Sequence, residues 1–173
     1  MEIRRIFSTD IGNLTAIAEL YCQIWQEPPW NEFFWTVPGV LQDLQQELSL
    51  PQAICLAAYK QSRVIGFTWG YQVNQEKMIQ ISGGQLLNPL FCRQPVLFYI
   101  DELAVAKDMR CQGHGKGLTG KLILEVRLVS DLRICLRTDT QAAAARRVYQ
   151  QLGFQDLGIK DAQFPNRTYW LLD

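Results

Sequence analysis

Apolar and polar positions along the chain set out its elements. Glu2 to Phe7 reads as a short strand, and Ser8, Thr9 and Asp10 follow as N-cap candidates. From Ile11 to Trp25, apolar residues recur at Ile11, Leu14, Ile17, Leu20, Tyr21, Ile24 and Trp25, the period of a helix. Pro28 and Pro29 stop that helix near Glu27. A second helix fits Val40 to Leu50 and ends before Pro51. Ala53 to Tyr59 and Val64 to Tyr71 are strand-like, and the polar run Lys60 to Arg63 joins them as a hairpin. Asn74 to Pro95 reads as an insertion with a short helix around Gln75 to Ile81 and a loop after Gly83 and Gly84. Val96 to Val105 is the central strand, Gly113 to Val129 a helix, and Leu132 to Leu136 a strand. Thr140 to Leu152 is an alanine-rich helix that Gly153 stops. Phe154 to Ile159 and Thr168 to Leu172 form a last strand pair, turning at Pro165 and Asn166.

Chemistry concentrates where the central strand runs into glycines. Phe98 to Leu118 passes from β-formers into a loop carrying Arg110, Gly113, Gly115, Lys116 and Gly117, and then into a helix. Backbone N–H groups at a helix start are unpaired and favour an anion, so a phosphate-bearing ligand is expected there. Gly115, Gly117 and Gly120 match the dinucleotide pattern G-x-G-x-x-G only weakly, because about nine residues separate them from the strand, where that fold turns at once. A Walker A loop fails, since Gly117 follows Lys116 and no glycine stands at position 110.

Composition narrows the field. Length 173 suggests one domain, and 48% hydrophobic residues suffice for a core. Seventeen basic and seventeen acidic residues cancel, which argues against a dedicated binder of nucleic acid or acidic membrane. Five cysteines without C-x-x-C spacing, and the single His114, supply too few ligands for zinc, so no metal is expected. The cysteines read as reduced thiols of a cytoplasmic protein. The segment MEIRRIF lacks the apolar core of a secretory signal, and no apolar run is long enough to span a bilayer.

The third interpretation of the loop fits far better. Leu103-Ala104-Val105 followed by Arg110-x-x-Gly113-x-Gly115 resembles the R-x-x-G-x-G/A signature of the GCN5-related N-acetyltransferase (GNAT) family. Tyr149 through Gly153-Phe154, with Ala145 four residues before the tyrosine, is similar to its second motif, and the order of elements matches along essentially the whole chain. The resemblance implies one α/β domain of the α+β type over residues 1 to 173. It has a mixed, mostly antiparallel central sheet with a splayed middle pair, flanked by helices. It also implies acetyl-CoA as co-substrate and an amine acceptor. The aromatic residues after the first helix and the insertion before the central strand lean toward a small molecule, with a protein or peptide amine as the alternative. A homodimer is left open. In that family the pantetheine arm pairs with the central strand, here Leu103, Ala104 and Val105. The pyrophosphate rests on the loop, here Arg110, Cys111, Gln112, Gly113, His114, Gly115, Lys116 and Gly117. Arg110 is equally suited to fixing the loop through its own guanidinium.

Acetyl transfer needs a neutral amine, and an aliphatic amine with a pKa of roughly 10 requires a base. Simple alternation puts Tyr99, Asp101, Leu103 and Val105 on one face of the central strand, and Ile100, Glu102 and Ala104 on the other. Members of the family often place the base four or six residues before the position of Val105, so the resemblance makes Asp101 the first choice. Glu102 is second, because a bulge would shift the parity. The resemblance makes Tyr149 the general acid. Ala142 departs from the family pattern, which often has asparagine there; Thr138, Asp139 or Gln141 would then supply the missing contact. Trp30, Glu32, Phe33 and Tyr99 are expected to line the acceptor pocket, with Phe34, Trp35 and Phe164 adding to it and Glu32 or Asp161 available to an ammonium group. A non-catalytic acyl-CoA-binding module is the alternative from another class.

Overall fold

The computed structural model describes residues 1–28 and 30–173; Pro29, half of the expected stop after the first helix, lies outside the described residues. In chain order the elements are β1 (Glu2–Ile6), α1 (Ile11–Trp25), α2 (Val37–Glu47), β2 (Ile54–Lys60), β3 (Arg63–Asn74), α3 (Gln75–Ile81), α4 (Asn88–Phe91), β4 (Val96–Val105), a 3-10 turn (Lys107–Met109), α5 (His114–Val129), β5 (Ile134–Asp139), α6 (Ala143–Gln151), β6 (Gln155–Lys160) and β7 (Arg167–Leu172). The strands form one sheet in the order β1-β2-β3-β4-β5-β7-β6. Every neighbouring pair is antiparallel except β4 with β5.

Local chemistry accounts for the shifted boundaries. Helix α2 starts at Val37, three residues before the predicted Val40, because Thr36 caps it with its hydroxyl on Gly39 N and Pro38 suits the first turn. Helix α6 starts at Ala143 instead of Thr140, since Asp139 turns the chain by accepting from Gln141 N. Strand β5 continues to Asp139, past the predicted Leu136, because β7 pairs with it throughout. The one-turn α4 escaped the sequence pattern.

Helices cover both faces. On one, α1 and α2 bury Leu14, Ile17, Tyr21, Trp25, Val40 and Leu44 against Cys55, Ala57, Phe67, Trp69 and Ala104. Further along, Met78 of α3 packs with Tyr71, Leu97, Tyr99 and Cys135. On the other face, α5 and α6 bury Leu118, Leu122, Val126 and Tyr149 against Phe98, Ile100, Ile134 and Leu136. Each cluster follows the 3.6-residue period of a helix and the two-residue period of a strand.

Two irregularities in β4 position the site. The ladder with β3 steps from Glu102↔Trp69 to Ile100↔Gly70, so Asp101 is an extra residue, a bulge. Gly70 permits it: a Cβ there would lie 2.3 Å from Tyr99 O and 3.0 Å from Ile100 Cα. The parallel pairing with β5 also ends at Ile100↔Leu136, although β4 runs on to Val105 and β5 to Asp139. The two middle strands therefore splay. The sheet carries a gap there, and the edge of β4 from Asp101 onward has no β5 partner.

The bulge corrects the face assignment. Simple alternation puts Leu103 and Val105 with Tyr99, but both pack on the α5 cluster beside Phe98 and Ile100, while Ala104 joins the α1 cluster. Asp101 bonds to Tyr71 and Glu102 to Tyr21, both on the α1–α3 side of the sheet. One extra residue has brought the two rival carboxylates to the same side.

Candidate active site

A cleft of about 780 Å³ occupies the gap between β4 and β5. Side chains reach it from both faces of the sheet, Asp101 and Glu102 from one and Tyr149 of α6 from the other. Of the expected residues, Trp30, Tyr99, Asp101, Glu102, Leu103, Ala104, Val105, Arg110, Cys111, Gly113, His114, Gly115, Lys116 and Tyr149 line it.

Eight expected residues stand outside the cleft lining, Phe34, Trp35 and Phe164 among them. The Gln112 side chain turns back to Asp108 O at 3.2 Å. Gly117 donates its N–H within the helix to Gly113 O and sits beside the side chains of Met1 and Ile3. Phe33 is 70% exposed and outside the cleft lining. Glu32 accepts from Trp35 Nε1 at 2.7 Å and stands 3.9 Å from Arg167, which does line the cleft. Asp161 is also spoken for. It is buried and takes hydrogen bonds from Arg137 Nη1, Tyr169 Oη and the N–H groups of Gln163 and Phe164, which together hold its carboxyl below the usual range against the effect of burial. It is not free for an ammonium group.

The loop end is built of backbone. Gly113 adopts φ +81°, a left-handed conformation natural to glycine, and starts α5 without a side-chain cap. Cys111 also has positive φ, +61°, which costs a non-glycine residue strain. The N–H groups of Cys111 through Lys116 find no acceptor among the described residues, while that of Gly117 closes the first helical bond. Arg110 is spent on the protein. Its Nε donates to Val105 O at 3.0 Å and its Nη1 pairs with Glu27 at 2.8 Å, tying the loop to the end of β4 and to the chain just after α1.

The opposite end is acidic. Asp101 Oδ2 accepts from Tyr71 Oη at 2.8 Å, and Glu102 Oε1 from Tyr21 Oη at 3.3 Å. Glu47, the last residue of α2, accepts from Trp69 Nε1 at 2.7 Å. No lysine or arginine forms an ion pair with any of these three carboxyls among the described residues. Burial therefore pushes all three up: Asp101 above the ordinary aspartate range, Glu102 well above its own, and Glu47, with the charge of Asp101 adding to burial, to about 8. Tyr149 is 6% exposed, edge-on to Phe154 at 5.7 Å, and its hydroxyl has no partner among the described residues. That oxygen is not buried, so it opens to the cleft. Burial and the Glu102 charge push its phenol up, which keeps it protonated.

Sequence reasoning missed Glu47, Tyr71 and Gly70. A glycine inside the strand pattern Val64 to Tyr71 was the available signal, because such a residue marks a bulge or a close backbone approach. Glu47 left no signal, since only the packing of α2 on β3 brings it to Trp69. Among the described residues no group of three or more His, Cys, Asp or Glu side chains is arranged to hold a metal ion.

The family model described as "Acetyltransferase (GNAT) family" matches residues 14–154, and the chain belongs to that family of acyltransferases. No curated protein matches the sequence. Solved structures share the fold. The aminoglycoside 6'-N-acetyltransferase from Enterococcus faecium superposes with a TM-score of 0.68 at 16% identity, covering 99% of this chain and 96% of that one. The ribosomal-protein-alanine N-acetyltransferase from Brucella melitensis gives 0.70 at 16%, covering 99% of both. The PaiA N-acetyltransferase from Thermoplasma acidophilum, in complex with coenzyme A, gives 0.69 at 14%, covering 99% and 98%. At such identities the likeness concerns the fold alone.

Proposed function

We propose that residues 1–173 act as one cytoplasmic N-acetyltransferase domain that moves the acetyl group of acetyl-CoA to the amine of a small molecule. One observation carries this: a single cleft presents two carboxyl groups, Asp101 and Glu102, and a tyrosine hydroxyl, Tyr149, unpartnered among the described residues, from opposite faces of a sheet that has opened between them.

The residues present fit acetyl-CoA. The unpartnered N–H groups of Cys111 through Lys116 form a cradle for a pyrophosphate at a helix start. The free edge of β4 over Leu103, Ala104 and Val105 is suited to the pantetheine amides. When bound, acetyl-CoA supplies the acyl group as a thioester. The chain's own groups handle the protons. Asp101 accepts the proton of the acceptor's ammonium group, with Glu102 beside it, and Tyr149 holds a proton at Oη for the departing sulfur. Tyr99, 1% exposed with its hydroxyl unpartnered among the described residues and lining the cleft, is placed to orient the acceptor.

A small acceptor is favoured over a peptide by a contact beside the cleft, where Arg167 and Trp30 both line it. Arg167 of β7 lies 4.3 Å over Phe164 and 5.7 Å over Trp30, so the last hairpin meets the loop after α1 there. The test is a thermal-shift comparison of acetyl-CoA, CoA, NAD and ATP, followed by thiol release with a panel of amines and peptides. Stabilisation by CoA species and turnover of small amines is expected. Binding without turnover would leave an acyl-CoA-binding module, and turnover of peptides alone a protein N-acetyltransferase.

A further inference from the structure

Strand β7 brings one cation to the acidic side of the cleft. Along β7, Trp170 and Leu172 pack with α5 and α6, while Tyr169 and Leu171 pack with Met78 of α3. Alternation puts Arg167 on the face of Tyr169 and Leu171. Asp101 and Glu102 enter the cleft from that same side, and Arg167 lines it with them. Trp30 agrees: it packs on the α1 cluster, and Arg167 Cζ stands 5.7 Å from the centre of its ring. In the ladder Arg167 pairs with Asp139, three residues beyond Leu136, where the pairing of β4 with β5 ends. Its place on β7 is thus about 10 Å along the strands from the point where the sheet opens.

Other cations of the cleft are spent or come from the other face. Arg110 holds Val105 O and Glu27, and Arg137 holds Asp161 at 2.6 Å. Lys116 belongs to α5 and Arg147 to α6. Arg167 is held by rings instead, its Cζ 4.3 Å from the centre of Phe164 and 5.7 Å from that of Trp30. Such contacts use the charge and fix the side chain, but they give its N–H groups no acceptor. None of those groups has a hydrogen-bond partner among the described residues. The ion-pair partner, Glu32 Oε1, stands at 3.9 Å, beyond hydrogen-bond reach, and Glu32 is itself bound to Trp35. No unpartnered side-chain nitrogen is buried among the described residues, so these donors are open to a ligand.

A guanidinium that is fixed, mostly buried and short of acceptors suits a planar anion, and a carboxylate meets it with two parallel N–H···O bonds. Two carboxyl groups on the same side suit an ammonium group. We infer that the acceptor is an amine that also carries a carboxylate, an amino acid or a close relative, and that Arg167 is the specificity residue that binds the carboxylate while the amine faces Asp101 and Glu102. The inference deepens the proposed function and rests on it for the placing of the amine.

Matched acceptors decide the matter. Thiol release from acetyl-CoA is measured with 4-aminobutyrate, lysine and phenylalanine, each beside its amide, and with phosphoethanolamine as a different anion. Wild type should favour the acids over their amides by about tenfold or more in kcat/KM, mainly through KM. In Arg167→Gln that ratio should fall to about one, and in Arg167→Lys, which keeps the charge without the fork, to a value between. Both variants meet the same substrates, so the change in ratio is free of each amine's own basicity. An arginine that only held Trp30 and Phe164 together would scale acid and amide alike. Acids and amides used equally by wild type, a ratio unchanged in Arg167→Gln, or a preference for phosphoethanolamine over every acid would overturn the inference. Calorimetry of the same pairs on the CoA-saturated protein reads binding without turnover. Acids that bind more tightly than amides to wild type, but not to Arg167→Gln, support the carboxylate site even where no amine is acetylated, an outcome that sinks the acetyltransferase reading alone. Turnover of amines with no preference for acids in either assay overturns the carboxylate site alone.

Discussion

Tyr71 and Asp101 join β3 to the bulge of β4 by a 2.8 Å hydrogen bond, one residue from the glycine that makes the bulge possible. The pair links architecture to chemistry. The extra residue turns Asp101 and Glu102 to one side, and the tyrosine fixes the first of them where the sheet opens.

Gly70→Ala tests the architectural half. The new Cβ would meet backbone, 2.3 Å from Tyr99 O, and the ring of Phe98 at 2.6 Å. Neither can move without disturbing the bulge. Urea denaturation should show a loss of roughly 1–3 kcal/mol. Activity should fall more than stability predicts, because Asp101 loses its place. A variant as stable and active as wild type would show that the bulge tolerates a side chain.

Tyr71→Phe tests the chemical half. The phenol stabilises the ionised form of Asp101, and removing it pushes the carboxyl further up. The acid limb of kcat/KM should then move upward by about one pH unit, so the variant loses most at low pH and least at high pH. A profile merely scaled down at every pH would point to altered packing instead.

The fold was legible in the sequence because its elements follow local rules. Periodicity located α1, α3 and the central strand to the residue, and the glycines of the loop marked the start of α5. The motif residues Arg110, Gly113, Gly115 and Tyr149 all line one cleft. What stayed hidden is non-local. The position of the Asp101 bulge depends on contact with Gly70 across the ladder, and the approach of Glu47 depends on how α2 docks on Trp69. Strict alternation cannot detect either, and so it misplaced Glu102, Leu103, Ala104 and Val105. Phe33 carried an aromatic signature but lies on the solvent side of its loop, where a neighbouring position, Trp30, turns inward.

Tyr149→Phe removes one oxygen from a cleft wall that otherwise packs as before, since the ring contacts with Phe154 and Trp170 persist. Loss of a general acid should lower kcat by about a hundredfold, with little change in acetyl-CoA affinity measured by calorimetry. A purely structural tyrosine would show the reverse, unchanged kcat with a lower melting temperature.

Arg110→Ala and Glu27→Gln should weaken acetyl-CoA binding in parallel. The guanidinium spends its bonds on Val105 O and Glu27, so its contribution to the ligand passes through the shape of the loop. KM for acetyl-CoA should rise about tenfold in Arg110→Ala and by a smaller factor in Glu27→Gln. If Arg110 instead met phosphate directly, releasing it from Glu27 would tighten binding, and steady-state kinetics separate the two signs.

The acidic cluster also leaves a mark on stability that requires no substrate. Asp101, Glu102 and Glu47 all have folded-state values above those of an unfolded chain. Between about pH 4.5, where unfolded carboxyls ionise, and about pH 8, where Glu47 does, the folded protein holds more protons than the unfolded one. Stability from this cluster is therefore full below that window and declines as pH rises through it. Asp161, held below its ordinary value, acts in the opposite sense only at lower pH, where its protonation would break the bonds to Arg137 and Tyr169. The melting temperature should accordingly be higher at pH 6 than at pH 8.5, and the difference should shrink in Glu47→Gln, which has no proton to lose. Scanning calorimetry across that range checks it, and a melting temperature that climbs from pH 6 to 8.5 would show that the three carboxyls are ionised and compensated in the folded protein.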